Sequence, residues 1–216
     1  SGRYGIGRNI TEWKKADRER REYELRLASI ISFLPDATLV IDREGRVIAW
    51  NRAIEEMTGV PAGEMLGKGD HAYAVPFYGK RRPILIDFVF TWNPEVEKEY
   101  SFINKEGDTL YTETAVPFVR GENRVLWGKA TPLYDTEGNI VGAIESIRDM
   151  TERKRSEEAL RESEQKFRIL ANSTPTAVML YQDDHYIYAN KAAEMITGYS
   201  SEEILSMNFW EFIHPD

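Results

Sequence analysis

The chain has 216 residues, of which 42% are hydrophobic and 30% are charged, a composition typical of globular proteins. Its formal net charge of −8 argues against binding to nucleic acid and against docking on anionic lipid, because both need a concentrated basic surface. The sequence contains no cysteine, which excludes disulfides, thiolate metal sites and thiol nucleophiles and fits a reducing cytoplasm.

A long helix is predicted over residues 9–34. Its seam alternates steps of three and four residues, which is the heptad spacing of a coiled coil. The seam positions are Trp13, Ala16, Arg20, Tyr23, Leu27, Ile30 and Leu34. Asn9 resembles a helix cap, and Pro35 marks the end. Pro35 also interrupts the longest apolar stretch, which is shorter than the roughly 20 residues that span a bilayer, so no membrane contact is predicted.

A β-hairpin is predicted after this helix, followed by short helices. The strands of the hairpin are Ala37 to Ile41 and Val47 to Trp50, with turn residues between them. Asn51 is suited to cap the next helix. The predicted short helices are Arg52 to Met57, Ala62 to Leu66 and Ile84 to Phe90.

Three longer strands are predicted to follow, from Thr109 to Phe118, from Arg124 to Tyr134 and from Ile140 to Ile147. Two strands, several short helices and a three-stranded meander predict an α+β fold, in which helices cover one face of a five-stranded antiparallel sheet. The alternation along these strands leaves open which side chains face the helices; Trp127 and Lys129 share one face of their strand.

The chain repeats itself with an offset of about 140 residues. Arg8 to Lys14 returns as Arg148 to Lys154, and Pro35 returns as Pro175. A solenoid repeat has only about 20–50 residues, so this offset indicates a tandem array of whole domains. We therefore predict the tail of a preceding unit with the start of a linker helix at 1–21, a complete unit at 22–150, a helical linker at 151–174 and the N-terminal half of a second unit at 175–216.

The order of these motifs resembles that of PAS domains. The hairpin from Asp36 to Asn51 matches the opening of the family, and Gly138 to Gly142 matches part of its last hairpin. Asp149 to Lys154 is similar to the Asp-Ile-Thr signature that ends PAS domains, with Met150 in place of isoleucine. The resemblance implies a tandem PAS sensor region, as in prokaryotic sensor histidine kinases and in diguanylate cyclases.

The resemblance also implies a ligand cavity beside the segment from Tyr73 to Phe90, where aromatic residues lie next to guanidinium groups. Arg81 and Arg82 are candidate contacts for an anionic group of a small, non-covalent ligand. The predicted ligand-binding residues are His71, Tyr73, Phe77, Tyr78, Arg81, Arg82, Leu85 and Trp127. The alternative is an irregular cap on the sheet, with its basic residues solvated or paired with acidic neighbours. The residues identify neither the ligand nor a cofactor.

Cofactor and catalytic chemistry receive little support from the residues. His71, His185 and His214 lack the spacing of metal ligands, so no zinc site is expected. Haem PAS domains use a histidine on the helix that follows the variable region, where this chain has none, and a flavin–cysteine adduct requires a cysteine. The sequence has no nucleophile elbow and no phosphate-binding loop, so no catalytic residue is predicted.

Together these features predict a sensory and dimerisation module of a signalling protein, with a sensor histidine kinase as the expected parent chain. A signal in the core is expected to pass through Asp149, Met150 and Thr151 into the linker helix. The heptad seam predicts a parallel homodimer, and a solvated single helix is the alternative. A haem or flavin sensor and a ligand-free relay for a diguanylate cyclase are the alternative functions.

The second unit is predicted to be incomplete. Residues 175–216 supply a hairpin from Ala177 to Ala189 and two short helices, but the three closing strands are missing. A two-stranded hairpin alone is marginal in water. We therefore expect this segment to be mobile, or to be ordered by contacts with a second copy or with the complete domain.

Overall fold

The computed structural model describes residues 11–91, 100, 102–208 and 210. The predictions for Asn9, for His214 and for the side chain of Trp13 concern positions outside this description. The chain divides into two compact units, Ser1–Glu152 and Arg153–Asp216. A six-stranded sheet belongs to the first unit and a two-stranded sheet to the second.

Helix α1 runs from Thr11 to Ser32, close to the predicted range. Its charged residues form exposed ion pairs one turn apart, such as Arg18 with Glu22, and each contributes only about 0.3–0.5 kcal/mol. The apolar seam is not covered within the chain: Tyr23 is 64% exposed and Ile30 is 55% exposed. Helix α1 therefore carries an apolar stripe that nothing described in this chain buries.

The sheet of the first unit is antiparallel, with strand order β2-β1-β6-β5-β4-β3. The strands are β1 Ala37–Asp42, β2 Val47–Trp50, β3 Ile103–Glu106, β4 Thr109–Val119, β5 Glu122–Tyr134 and β6 Ile140–Asp149. The α+β class is confirmed, but the prediction of five strands was one short. The additional strand, β3, is a polar edge strand with three exposed residues, and it lacks the apolar alternation by which a strand is recognised in a sequence.

Short helices cover one face of this sheet. They are α2 Arg52–Thr58, α3 Ala62–Met65 and α4 Val75–Tyr78, with 3₁₀ segments at Ala72–Ala74 and Leu85–Val89. The second 3₁₀ segment replaces the predicted α-helix at 84–90, and the Asp87 carboxylate caps it by accepting a hydrogen bond from the Ile84 amide at 2.7 Å. The largest fully buried side chains between the sheet and these segments are Tyr73, Phe77, Leu39, Ile41, Ile54, Leu85, Ile86, Leu110, Val47, Val116 and Val119.

The buried Asn51 side chain joins the end of the first helix to the hairpin. Its Oδ1 accepts hydrogen bonds from the Thr38 amide at 2.8 Å and from the Ile54 amide at 3.0 Å. Its Nδ2 donates to the carbonyls of Leu34 at 3.3 Å and Asp36 at 3.0 Å. One side chain thus caps α2 and holds the chain between α1 and β1.

The second unit repeats this arrangement on a smaller scale. Helix α5, Thr151–Ser173, starts at the last two residues of the first unit, and the remaining elements are β7 Met179–Gln182, β8 His185–Ala189, α6 Lys191–Thr197 and α7 Ser201–Ser206. The Asn190 side chain accepts from the amides of Val178 and Ala193 and donates to the carbonyls of Ala171 and Thr176. The expectation that residues 175–216 are mobile, or ordered by other contacts, stays a prediction.

Candidate functional site

A small cavity lies in the first unit between the sheet and its helical cover. Its volume is about 20 Å³, which is room for about one water molecule. The lining residues are Phe77, Tyr78, Ile84, Leu85, Tyr100, Thr112, Thr114, Val116, Leu126, Gly128, Glu145 and Ile147. A ligand of ordinary size would have to displace some of these side chains.

Glu145 brings an ionisable group into this cavity. It lies on β6 between Ala143 and Ile147 on the inward face and is only 4% exposed. Its Oε2 accepts a hydrogen bond from the Ile86 amide at 3.1 Å, and among the described residues no Lys, Arg or His side chain forms an ion pair with it. Burial, reinforced by the nearby Asp87 carboxylate, raises the pKa of Glu145 to about 8. At neutral pH the carboxyl group is therefore mostly protonated.

The space around Glu145 depends on Gly128, which lies on the neighbouring strand β5. A Cβ atom at this position would lie 3.1 Å from Oε1 of Glu145 and 3.2 Å from Cδ2 of Leu85. Both contacts are tighter than ordinary van der Waals contact. Glycine at 128 therefore leaves the room that any other residue would fill.

A second polar group is buried at the cavity. Burial is the main cause that raises the pKa of the Tyr100 hydroxyl. The neighbouring Tyr78 side chain raises it further. Apart from its interaction with the Tyr78 side chain, the hydroxyl has no hydrogen-bond partner among the described residues. Buried polar groups without partners are rare, and each calls for a physical explanation. The cavity thus contains two oxygen-bearing groups with unused hydrogen-bonding capacity.

Three of the predicted ligand residues line the cavity: Phe77, Tyr78 and Leu85. Tyr73 is fully buried beside it, and its hydroxyl donates a hydrogen bond to the Asp87 carboxylate. Burial and the Asp87 charge raise the pKa of Tyr73 above its ordinary value. Tyr73 therefore serves the packing of the cover and orients Asp87.

His71 lies away from the core cavity. Its Nδ1 is 3.2 Å from the Tyr73 hydroxyl and 3.3 Å from Oδ1 of Asp87, and the residue borders a surface groove of about 340 Å³. Burial raises the pKa of Asp87, although its hydrogen bonds with Tyr73 and Ile84 act in the opposite direction. The structure thus places His71 in a hydrogen-bonded group at the surface.

The two predicted anion contacts do not reach the cavity. Arg81 is exposed, and its Nη1 pairs with Oδ2 of Asp70 at 2.6 Å. The Arg82 guanidinium lies 4.7 Å from the ring centroid of Tyr78 and 5.8 Å from that of Tyr100. The structure therefore corrects the expected charge of the cavity, because its buried ionisable group is a carboxyl and not a guanidinium.

Trp127 also lies elsewhere. Its neighbours in sequence, Leu126 and Gly128, line the cavity, so Trp127 points to the opposite face of β5. There its ring lies 6.0 Å from that of Tyr111 on β4, with an angle of 39° between the ring planes. The prediction of Trp127 as a cavity residue assumed the wrong face of the strand.

The predicted relay residues form a compact junction between β6 and α5. The Met150 amide donates to the Val125 carbonyl at 2.8 Å, and the Val125 amide donates to Oγ1 of Thr151 at 3.0 Å. Asp149 accepts from the Thr151 amide at 2.9 Å and forms an ion pair with Arg124. Burial disfavours its charged form, but the bonds from Thr151 and Arg124 outweigh this and hold the pKa of Asp149 below its ordinary value.

Sequence reasoning missed Glu145, the most perturbed carboxyl group of the cavity. The available signal was its position on β6, where it alternates with Ala143 and Ile147 on a strand that had been predicted. A charged residue in the inward set of a buried strand is a candidate functional group. Identifying Glu145 in this way requires knowing which face of the strand turns inward.

Within the described residues, no helix is both long and apolar enough to cross a lipid bilayer. The same part of the chain contains no group of three His, Cys, Asp or Glu side chains placed to hold a metal ion.

Comparisons with known proteins agree with the described fold. A family model described as "PAS fold" matches residues 32–155, and one described as "PAS domain" matches residues 165–216. The chain is 28% identical to Sporulation kinase E of Bacillus subtilis (strain 168) over 99% of its own length and 26% of the kinase. It is 27% identical to Phytochrome of Picea abies, over 77% of this chain and 14% of the phytochrome.

Among solved structures, the PAS domain from Bordetella pertussis BvgS has 22% identity and a TM-score of 0.43, and the match covers 68% of this chain and 98% of that one. The chain spans about a quarter or less of the length of the curated relatives it matches. The first family model alone covers more than half of the chain. The chain therefore belongs to the PAS family, and its two matched segments form a tandem PAS region.

Proposed function

We propose that this chain is the sensory and dimerisation module of a larger signalling protein, and that the parent protein is a sensor histidine kinase. The similarity to Sporulation kinase E supports this parent class. The module itself contributes no catalytic group under this proposal; it passes a change in the PAS core to an output domain. A cytoplasmic location is part of the same proposal and rests on the absence of cysteine.

The observation that carries the proposal is the continuity of β6 from the core to the linker helix. Glu145 lies in the cavity, and four residues later Asp149 ends the strand and bonds to Thr151, the first residue of α5. Close-packed cores transmit small displacements because they contain little free space. A shift of Glu145 would therefore move the junction where α5 begins.

Gly128→Ala tests this relay by filling the cavity from inside. The new methyl group would push Glu145 and Leu85 away by a few tenths of an ångström. We expect hydrogen exchange at the amides of Val125, Met150 and Thr151 to change about tenfold, which corresponds to about 1.4 kcal/mol of local opening free energy. Amide NMR on the whole chain measures this exchange residue by residue.

Gly63→Ala is the matched control, because a Cβ at Gly63 meets no atom within 4 Å. It should leave the three junction amides unchanged. If Gly128→Ala alters the Ile86 amide in the core but not the junction amides, the core does not communicate with α5 and the relay proposal is wrong.

The proposed dimer forms through the exposed seam of α1. Tyr23, Leu27 and Ile30 on α1, and Leu34 just after its end, are all at least one-third exposed in the single chain, and a parallel partner helix would bury them. We expect Leu27→Glu combined with Ile30→Glu to convert a dimer into a monomer in light scattering. Leu25→Glu with Ala28→Glu has the same spacing on the opposite helix face and should remain dimeric. A monomeric unmutated chain would contradict the proposal.

A ligand-free relay is the second candidate function. Arg148, one residue before the end of β6, forms two hydrogen bonds with the Asp36 carboxylate at 3.0 and 2.7 Å. Asp36 lies between α1 and β1, and Asn51 also binds its carbonyl. This contact joins the incoming segment directly to the outgoing strand, so motion of α1 could reach α5 without a ligand.

A further inference from the structure

We propose that the core cavity binds a protonated amino group, with Glu145 as its counter-ion. The inference rests on the proposed role of the core as the sensor and names the class of ligand that the core would sense. The sequence predicted a ligand with an anionic group, whereas this proposal names a cationic one, since Arg81 and Arg82 lie outside the cavity.

Among the described residues that line the cavity, all the polar side-chain atoms are oxygens. Glu145 is aimed into the space and receives one hydrogen bond, from Ile86, while the buried Tyr100 hydroxyl interacts with Tyr78 alone among the described residues and keeps unused hydrogen-bonding capacity. The Thr112 hydroxyl donates its proton to the Phe102 carbonyl at 2.7 Å, so its remaining capacity is as an acceptor. Once Glu145 has released its proton, the carboxylate and the Thr112 hydroxyl can only accept and the Tyr100 hydroxyl can also accept, so a ligand that donates several hydrogen bonds complements this lining.

The charge of the ligand distinguishes among molecules that can donate these hydrogen bonds. The Asp87 carboxylate lies near Glu145 and disfavours a second negative charge, so an anion would meet repulsion there. A purely apolar ligand would give the Glu145 carboxyl no partner beyond the Ile86 amide, and unused hydrogen-bonding capacity is costly in a buried site. An ammonium group offers both a positive charge and several N–H donors, and a quaternary ammonium offers the charge alone.

The size of the cavity sets a limit on the ligand. About 20 Å³ accommodates a group of the size of one water molecule, and an ammonium head is of similar size. A longer organic tail needs Leu85 or Phe77 to change rotamer, because both line the cavity. Free ammonium and methylammonium should therefore bind better than butylammonium, and this ranking separates the free ion from the head of a larger amine.

Binding of a cation should release a proton. Glu145 faces Asp87 from the second 3₁₀ segment, Tyr73 from the first and Tyr100 from the segment before β3, and the Arg82 guanidinium lies over the Tyr100 ring. With a pKa of about 8, the empty site is mostly protonated at pH 7. The cation pairs with the carboxylate, so the proton leaves Glu145 for solvent as the ligand enters.

The test is a titration of the whole chain with methylammonium chloride, followed at the amides of Ile86 and Gly128 by NMR at constant ionic strength. We expect saturable shifts, and binding roughly eight times tighter at pH 8.5 than at pH 7, because that much more carboxylate is available. Tetramethylammonium chloride, which cannot donate a hydrogen bond, should give no saturable shift.

Glu145→Gln keeps the shape of the side chain and removes its charge, so it should abolish the saturable shift and its pH dependence. Gly128→Ala, which reduces the cavity, should weaken binding and serves as the second variant if Glu145→Gln does not fold. Equal shifts with tetramethylammonium, unchanged binding by Glu145→Gln, or no binding at all would overturn the proposal. If no amine binds but Gly128→Ala still alters the junction amides, the relay stands and only the ligand class is wrong.

Discussion

Asn51→Ala is expected to lower the free energy of unfolding of the first unit by about 3–5 kcal/mol, out of a typical total of about 5–15 kcal/mol. The substitution removes four hydrogen bonds at once, to Thr38, Ile54, Leu34 and Asp36. Loss of the helix cap contributes about 1 kcal/mol. The rest comes from buried backbone groups left without partners, at about 1–3 kcal/mol each.

Urea unfolding followed by tryptophan fluorescence measures this change, because Trp50 is buried next to Asn51 in sequence. Asn104→Ala is the matched control: Asn104 is exposed on β3, and its replacement should change stability by less than about 0.5 kcal/mol. Equal effects of the two substitutions would show that Asn51 does not hold the helix end to the sheet.

The second large effect concerns pH. The pKa of Glu145 in the folded chain is about 8, above its ordinary value near 4.5, so the folded state holds a proton that the unfolded state has released. The stabilisation from this proton is fully present below about pH 4.5 and is lost as the pH rises through about 8. At about 1.4 kcal/mol per pKa unit, the loss amounts to several kcal/mol.

Glu145→Gln should remove this dependence, since the amide is neutral at every pH. The variant should match the unmutated chain within about 1 kcal/mol at pH 5 and exceed its stability by several kcal/mol at pH 8.5. Urea unfolding at the two pH values measures the difference. Glu106→Gln, an exposed carboxyl on β3, is the control and should follow the unmutated chain. Parallel pH profiles for Glu145→Gln and the unmutated chain would rule out a buried neutral carboxyl.

Local signals made most of the fold predictable from the sequence. The hairpin of β1 and β2 follows from apolar strands around a turn, and the end of α2 follows from Gly59, whose φ of 78° suits glycine. The capping role predicted for Asn51 is confirmed, since its side chain accepts from the Ile54 amide. Strand β3 was missed because its polar residues carry no period-two pattern.

The contents of the site were less predictable, because they depend on which face of each strand turns inward. Side chains alternate between the two faces of a strand, and the sequence does not show which face of β5 or β6 turns inward, so it names Trp127 as a ligand residue and does not identify Glu145. The basic charge of Arg81 and Arg82 was visible in the sequence, but their pairing with Asp70 and with the Tyr78 ring depends on the conformation of an irregular segment. The volume of the cavity likewise depends on rotamers and not on composition.

The carboxyl carbon of Glu145 reports directly on whether the PAS core contains a neutral, proton-binding group. Its ¹³C chemical shift, followed by NMR from about pH 4 to pH 10 and assigned by its absence in Glu145→Gln, should titrate with a midpoint near 8. A midpoint near 4.5, the ordinary value for a glutamate, would show that the carboxyl is already charged at neutral pH. That result would contradict the proton release expected on amine binding and the pH-dependent stability of the first unit.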